Sequence, residues 1–392
     1  MKNKLRKPTA AFSVINCICY DQRVQKIAKV VSDLGCDVTI IGRRKGDCCK
    51  RDMVPFRTFR FRMLFHKGFL FYKFFNVRLF FYLLFHDYDI LVANDLDTLL
   101  PNYLISRLKH KILVYDSHEY FTGLPELEGR ESVKRIWKAI ERRIFPHLKY
   151  VMTVSNSIAL QYEKEYGMRP VTVMNCSRSS KDLKAFSRED IGIRPGDLLL
   201  ILQGGGINID KGGEELIEAM KITEGTSLII AGSGDVVGKL KKKAADMDLT
   251  DRVKFFDIMP WDELMRFTKT ADVGLCLEKD TNINYRFSLP NKLFDYISAG
   301  IPVIAGNLQE VPVIIRKYDF GLIIPEITPE TLRDAINRLK KNPDLLNKLK
   351  KNAVKPFDDL SWEKESEKVR EFYERVIIKN RPYDERPAIN GQ

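Results

Sequence analysis

Glutamate is absent from the first 86 residues, which hold 5 Asp against 18 of the chain's 65 Lys/Arg, so the whole net charge of +13 sits in the first quarter. That imbalance points to an anionic partner for this region, nucleic acid or anionic lipid. Cysteine is scarce and scattered: 7 residues, with Cys48 and Cys49 adjacent, match neither a disulfide framework nor a zinc spacing and predict a reduced, cytoplasmic chain. No apolar core follows the basic start Met-Lys-Asn-Lys-Leu-Arg-Lys and no uninterrupted apolar run reaches about 18 residues, so neither a secretory signal nor a membrane span is expected. What is present is globular. Hydrophobic residues at 44% and charged residues at 30% can build packed cores, and 392 residues suffice for two domains.

Strand and helix signals alternate along the whole chain. Residues 9–15 read as a strand, 22–34 as a helix stopped by Gly35, and 37–41 as a second strand, which makes a βαβ unit. Apolar runs at 89–93, 112–115, 150–154 and 171–174 continue it, each of the first three before a helical pattern. A polar stretch then intervenes, and runs at 198–202, 227–231, 253–256, 272–275, 302–305 and 321–324 repeat the alternation. This predicts an α/β chain with two parallel sheets covered on both faces. The predicted domains are 1–178 and 198–360, with a linker at 179–197. A helix at 361–378 could cross back to the first domain, and 379–392 is a polar tail.

In open parallel sheets ligands sit beyond the carboxyl ends of the strands. Two strands of the second half end there in glycine, at Gly204-Gly205-Gly206 and Gly232-Ser233-Gly234, with Lys211 close behind the first. Glycine lets a phosphate approach the backbone, and a lysine supplies a countercharge. The spacing is neither a dinucleotide fingerprint nor a Walker A loop. Residues 284–305 read as loop, short helix, Gly300 stop and buried strand. Ser288 is the expected N-cap, with Pro290 in the first turn. Asn291, Lys292 and Asp295 share one face of that helix, while its first amides suit a phosphate and Asp295 suits sugar hydroxyls.

These stretches resemble the donor domain of GT-B glycosyltransferases, particularly family 4 and its relatives. Residues 203–212, Gln-Gly-Gly-Gly-Ile-Asn-Ile-Asp-Lys-Gly, are similar to that family's phosphate loop, and 231–234 to its second loop. Residues 290–304 resemble the helix whose acidic residue holds the nucleotide ribose. In the first half Asp21-Gln-Arg-Val, Asn94-Asp-Leu-Asp and Tyr115-Asp-Ser-His-Glu are also familiar. The resemblance implies two doubly wound, Rossmann-like domains facing a cleft, and transfer of a sugar from a nucleotide diphosphate sugar to a glycan or lipid-linked acceptor with retention of configuration. It implies Lys211 on the diphosphate, Asp295 on the ribose, and Asp257, Ile258 and Met259 beside the base. Gly204 to Gly206, Gly232, Ser233, Gly234, Ser288, Leu289, Pro290, Asn291 and Lys292 complete the implied donor contacts. No metal or cofactor beyond the nucleotide sugar is implied. One position departs from the pattern: eight residues before Asp295, where a carboxylate usually touches the donor sugar, stands Phe287. Asn284, Arg286 or the amides near Ser288 are the stand-ins.

On the acceptor side the expected residues are Asp21, Arg23, Asp95, Asp97, His118 and Glu119. His118 follows a strand end and would orient the donor sugar or act as a base. Asp95 and Asp97 form a D-x-D pair, better read as a polar loop capping the helix at Thr98 than as a metal site. Residues 56–86 hold 11 of the 23 Phe, six Lys/Arg and no acid. Such a segment is either an interfacial patch on an anionic membrane or a core helix pair with snorkelling basic side chains. No nucleic-acid-binding signature accompanies it. Two other functions fit the same fold, a nucleotide-sugar epimerase and a non-catalytic binding protein.

Overall fold

A computed structural model describes residues 6–19, 21–44 and 54–378. The adjacent Cys48 and Cys49 and the polar tail at 379–392 lie outside the described residues. The chain divides into two compact units, Met1–Val173 with Ser366–Gln392, and Met174–Glu365.

The first unit runs β1 (Thr9–Ser13), α1 (Gln22–Asp33), β2 (Asp37–Arg43), β3 (Arg57–Phe61), α2 (Gly68–Phe85), β4 (Ile90–Asn94), α3 (Leu96–Leu108), β5 (Ile112–Ser117), α4 (Glu131–Ile144), β6 (Tyr150–Thr153), α5 (Asn156–Tyr166) and β7 (Val171–Thr172). Its seven strands are all parallel in the order β3-β2-β1-β4-β5-β6-β7. β1 and β4 are buried along nearly their whole length, as strands covered on both faces must be.

The second unit runs β8 (Leu198–Gly204), α6 (Gly213–Lys221), β9 (Thr226–Gly232), α7 (Val237–Asp246), β10 (Val253–Phe256), α8 (Trp261–Thr270), β11 (Val273–Cys276), α9 (Ile283–Phe287), α10 (Asn291–Ala299), β12 (Val303–Gly306), α11 (Val311–Tyr318), β13 (Gly321–Ile324), α12 (Pro329–Lys341) and α13 (Pro343–Ala353). Six parallel strands form the order β10-β9-β8-β11-β12-β13. The final helix, α14 (Trp362–Ile378), begins in the second unit and continues in the first.

Several expectations change. The expected linker, 179–197, belongs to the second unit: Ile193 enters its core, Ser180 Oγ donates to Ser298 O at 2.6 Å, and Arg188 pairs with Asp272 at 2.7 Å. Polar composition hid a segment whose polar atoms are tied down. The phenylalanine-rich stretch is not a helix pair. It is an edge strand, β3, and one helix, α2, whose Phe71, Phe75, Leu79 and Leu83 form a buried stripe at four-residue spacing. By length and composition alone α2 could cross a membrane, but that stripe is packed into the first unit's core. Its other side exposes Phe69, Leu70, Phe81 and Phe85. Cys36, Cys176 and Cys276 are free and buried.

Candidate functional site

Each sheet changes its direction of winding between two central strands, β1 and β4 in the first unit, β8 and β11 in the second. Helices leave to opposite sides there, opening a crevice beyond the strand ends in which ligands bind.

In the second unit the two glycine loops interlock. Ser233 N–H donates to Gly204 O (3.1 Å) and Ile207 N–H to Ser233 O (2.8 Å). A Cβ on Gly232, whose φ is +133°, would lie 1.9 Å from Gly204 O, and one on Gly234 would lie 2.1 Å from Ile207 O. Those two glycines serve backbone packing. Gly205 has no neighbour within 4 Å of a built Cβ; at Gly206 the nearest include Lys211 Nζ (3.8 Å), and at Gly204 Lys292 Cε (4.0 Å). The first loop thus offers open backbone between two lysines, the arrangement a diphosphate needs. The half-buried Lys211 lies with its ammonium 5.4 Å from the Tyr285 ring centroid. Lys292 is buried and forms an ion pair at 2.9 Å with Glu278, itself buried just beyond β11. Burial pushes the Glu278 carboxyl up, but Lys292 and then Lys211 more than offset it and hold the pKa below the usual range.

Asp295 sits on α10 in this same crevice but is turned to the protein. Its Oδ1 accepts from Ser177 Oγ (2.5 Å) and Trp261 Nε1 (2.9 Å), and its Oδ2 from Gln203 Nε2 (2.9 Å). Three donors occupy most of what a carboxylate can accept, and through them Asp295 ties α10 to β8, α8 and the 174–197 segment. The helix start differs too. Ser288 ends α9, donating to Tyr285 O at 3.0 Å, and Pro290 is the N-cap of α10, without a side-chain cap. Proline's fixed φ suits that entry, and the φ here is −67°. Leu289 lies in the core, and Asn291 accepts from Asn175 Nδ2 at 2.9 Å. After β10, Asp257 and Ile258 are exposed and Met259 packs on the core.

In the first unit, β4 and β5 end in a charge relay of four groups. Arg23 is buried and pairs with Asp116 through Nη2 (2.6 Å) and Nε (3.0 Å), while its Nη1 donates to Val173 O (2.7 Å). A guanidinium so engaged organises the strand ends. His118 lies between Asp116 (Nε2 to Oδ2, 3.2 Å) and Asp95 (Nδ1 to Oδ2, 3.4 Å), and its backbone N–H donates to Asp95 Oδ1 at 2.7 Å. Burial lowers the His118 pKa, but Asp95 and Asp116 outweigh it and raise it to about 10. The two carboxylates thus favour the imidazolium form of the ring at neutral pH. Asp95, at φ +63°, precedes α3 but makes no side-chain cap; its carboxylate serves His118 instead. Asp97 is buried, and burial with the nearby Asp95 charge pushes its carboxyl well up, favouring the protonated form. Asp21 N-caps α1 by accepting from Val24 N (3.1 Å), and Glu119 is exposed. Among the described residues no group of three or more His, Cys, Asp or Glu could hold a metal ion.

Sequence reasoning missed Ser177, Trp261 and Glu278. Nothing in the sequence marked the first two, which meet Asp295 only through the fold. Glu278 carried a signal, its position directly after a central strand.

Two parallel α/β units of this winding, with a phosphate-ready glycine loop and lysine in the second, define the GT-B class of glycosyltransferases. Residues 22–177 match the family described as Glycosyltransferase Family 4, and residues 186–355 the family described as Glycosyl transferases group 1. The chain belongs to these family 4-like glycosyltransferases, a family of transferase enzymes. Among curated relatives it is 29% identical over 112 residues to the amylovoran biosynthesis glycosyltransferase AmsK of Erwinia amylovora, covering 29% of this chain and 28% of that one. It is 25% identical over 223 residues to the D-inositol 3-phosphate glycosyltransferase of Streptomyces bingchenggensis, covering 54% and 47%. The matches thus span less than half the length of either relative. Its fold is similar to that of sucrose-phosphate synthase from Thermosynechococcus elongatus, with a TM-score of 0.78 at 15% identity, covering 95% of this chain and 100% of that chain.

Proposed function

We propose that the chain moves a sugar from a nucleoside diphosphate sugar, held by the second unit, to a glycan or lipid-linked acceptor recognised by the first, in cell-envelope polysaccharide or glycoconjugate synthesis. The observation that carries this is the open Gly204–Gly206 backbone flanked by Lys211 and Lys292 at the winding reversal of the second sheet. Departure of the nucleotide builds negative charge on the diphosphate, and preorganised amides and ammonium groups stabilise such charge. The two lysines supply countercharge that a divalent metal supplies in other transferases. Asp257 to Met259, beyond β10, border the base. Retention of configuration fits a first unit whose one central histidine is already a cation: the leaving phosphate, not His118, takes the acceptor's proton.

The exposed aromatic side of α2 is part of this reading. Phe69, Leu70, Phe81 and Phe85 stand beside Lys67, Lys73 and Arg78 in a stretch without acid, which fits the interface of an anionic membrane where lipid-linked acceptors reside. Sedimentation with anionic liposomes is expected to fall as salt rises, and failure to bind at any salt removes this part.

The central test is a thermal-shift screen against UDP, GDP, ADP and their sugars, followed by product analysis. A donor that raises the melting temperature by mass action, and whose sugar passes to an added acceptor, supports transfer. A changed sugar still attached to nucleotide would make the chain an epimerase instead.

A further inference from the structure

Phe287 stands eight residues before Asp295, where the family resemblance implies a carboxylate, but the second unit buries another acid beside its glycine loop. Glu278 leaves the end of β11, the strand that faces β8 across the winding reversal, and therefore lies opposite the Gly204–Gly206 loop. It is 3% exposed, and its only described side-chain partner is Lys292. That contact is close, 2.9 Å, but its angles miss hydrogen-bond geometry, so Oε1 is held by charge and its hydrogen-bonding capacity is unfilled. A buried carboxylate oxygen in that state is costly unless a donor arrives. Its placement is costly too. An acid between the two lysines that should grip a diphosphate weakens that grip, and a purely structural partner for Lys292 would be better placed on its far side.

Both costs disappear if the ligand itself supplies the missing donor. We propose that Glu278 is the donor-sugar carboxylate of this chain, and that on donor binding Lys292 exchanges Glu278 for the diphosphate while Glu278 accepts a sugar hydroxyl. This inference rests on the donor-site reading of the second unit and adds a substrate class to it. A carboxylate waiting for a hydroxyl selects an uncharged sugar and rejects a uronic acid, whose own carboxylate it would repel.

Calorimetric titration of the full chain with UDP, UDP-glucose, UDP-glucuronate, GDP and GDP-mannose tests it, in wild type and in Glu278→Gln. The amide keeps the shape and removes the charge. Glu278→Gln should bind UDP or GDP about threefold or more tighter, because Lys292 is released to the phosphate. The ratio of sugar-nucleotide affinity to diphosphate affinity should fall by about tenfold, the worth of one hydrogen bond to a charged acceptor. Glu278→Asp should keep part of that ratio, and Lys292→Met should weaken the diphosphate and its sugar alike by about tenfold or more. A Glu278→Gln protein that binds the diphosphate more weakly, or whose ratio is unchanged, overturns the proposal, as does a wild type that prefers UDP-glucuronate to UDP-glucose. A wild type that binds no nucleoside diphosphate overturns the donor-site reading itself, and Glu278 with it.

Discussion

Asp295 is held by Ser177, Trp261 and Gln203, and Gln203 is itself fixed because its Oε1 accepts from Thr268 Oγ1 at 2.7 Å. Replacing Asp295 with Ala strands three donors in a buried place, so chemical denaturation is expected to show a stability loss of about 1–3 kcal/mol. An Asp295→Ala protein of unchanged stability would mean that these three hydrogen bonds do not hold the crevice together. His118 makes a prediction of opposite sign to the usual acid case. Its folded pKa, about 10, lies above the ordinary histidine value of about 6.5, so the stability it confers is complete below about pH 6.5 and is lost as pH rises to about 10. The stability gap between wild type and His118→Gln, on the order of a few kcal/mol at neutral pH, should therefore close across that window. Ring titration by NMR with a midpoint near the ordinary value would refute the ion-pair picture.

At the scale of loops and helices, residue type is legible but its purpose often is not. Both glycine clusters after β8 and β9 read as phosphate loops in the sequence, because glycine after a strand looks the same whether ligand or backbone comes close. The structure separates them: Gly232→Ala would drive a methyl into Gly204 O and is expected to unfold the second unit or cost several kcal/mol, whereas Gly205→Ala meets nothing within 4 Å. The second variant should keep its thermal stability and lose nucleoside diphosphate affinity, since the added methyl stands where the phosphate approaches. Equal stability loss in the two variants would contradict this division. The same holds for α2. Its phenylalanines were visible in the sequence, but only packing shows that Phe75 belongs to the core and Phe81 to the surface. Phe75→Ala is expected to cost about 3–5 kcal/mol, and Phe81→Ser little stability but much of any liposome binding. Edge strand β3 escaped notice because its alternating Arg and Phe were absorbed into the same basic, aromatic run.

For the whole molecule, two parallel sheets followed from the alternation of apolar runs with helical patterns, which restarts after one polar interval, but the order of the strands did not. What the alternation could not show is where each unit ends, because the chain passes between the units twice, at Val173–Met174 and again inside α14. A helix pattern is continuous across such a boundary. Its first turns belong to the second unit, where Trp362 N–H donates to Ser177 O at 3.0 Å and Glu365 accepts from Met174 N at 2.9 Å. Beyond residue 365 its apolar side chains join the first unit: Val369, Phe372, Tyr373 and Val376 are buried, and the Phe372 ring lies 6.2 Å from that of Tyr150. Each such side chain contributes about 1.5–3 kcal/mol on burial, so the four together approach the whole stability of an ordinary domain, about 5–15 kcal/mol. A chain ending at residue 365 should therefore lose cooperative unfolding and hydrogen-exchange protection in β1 and β4 to β7 while β8 to β13 stay protected. Protection lost equally in both sheets would mean that α14 serves the two units as one, and protection kept in both would mean that the first unit closes its core without it.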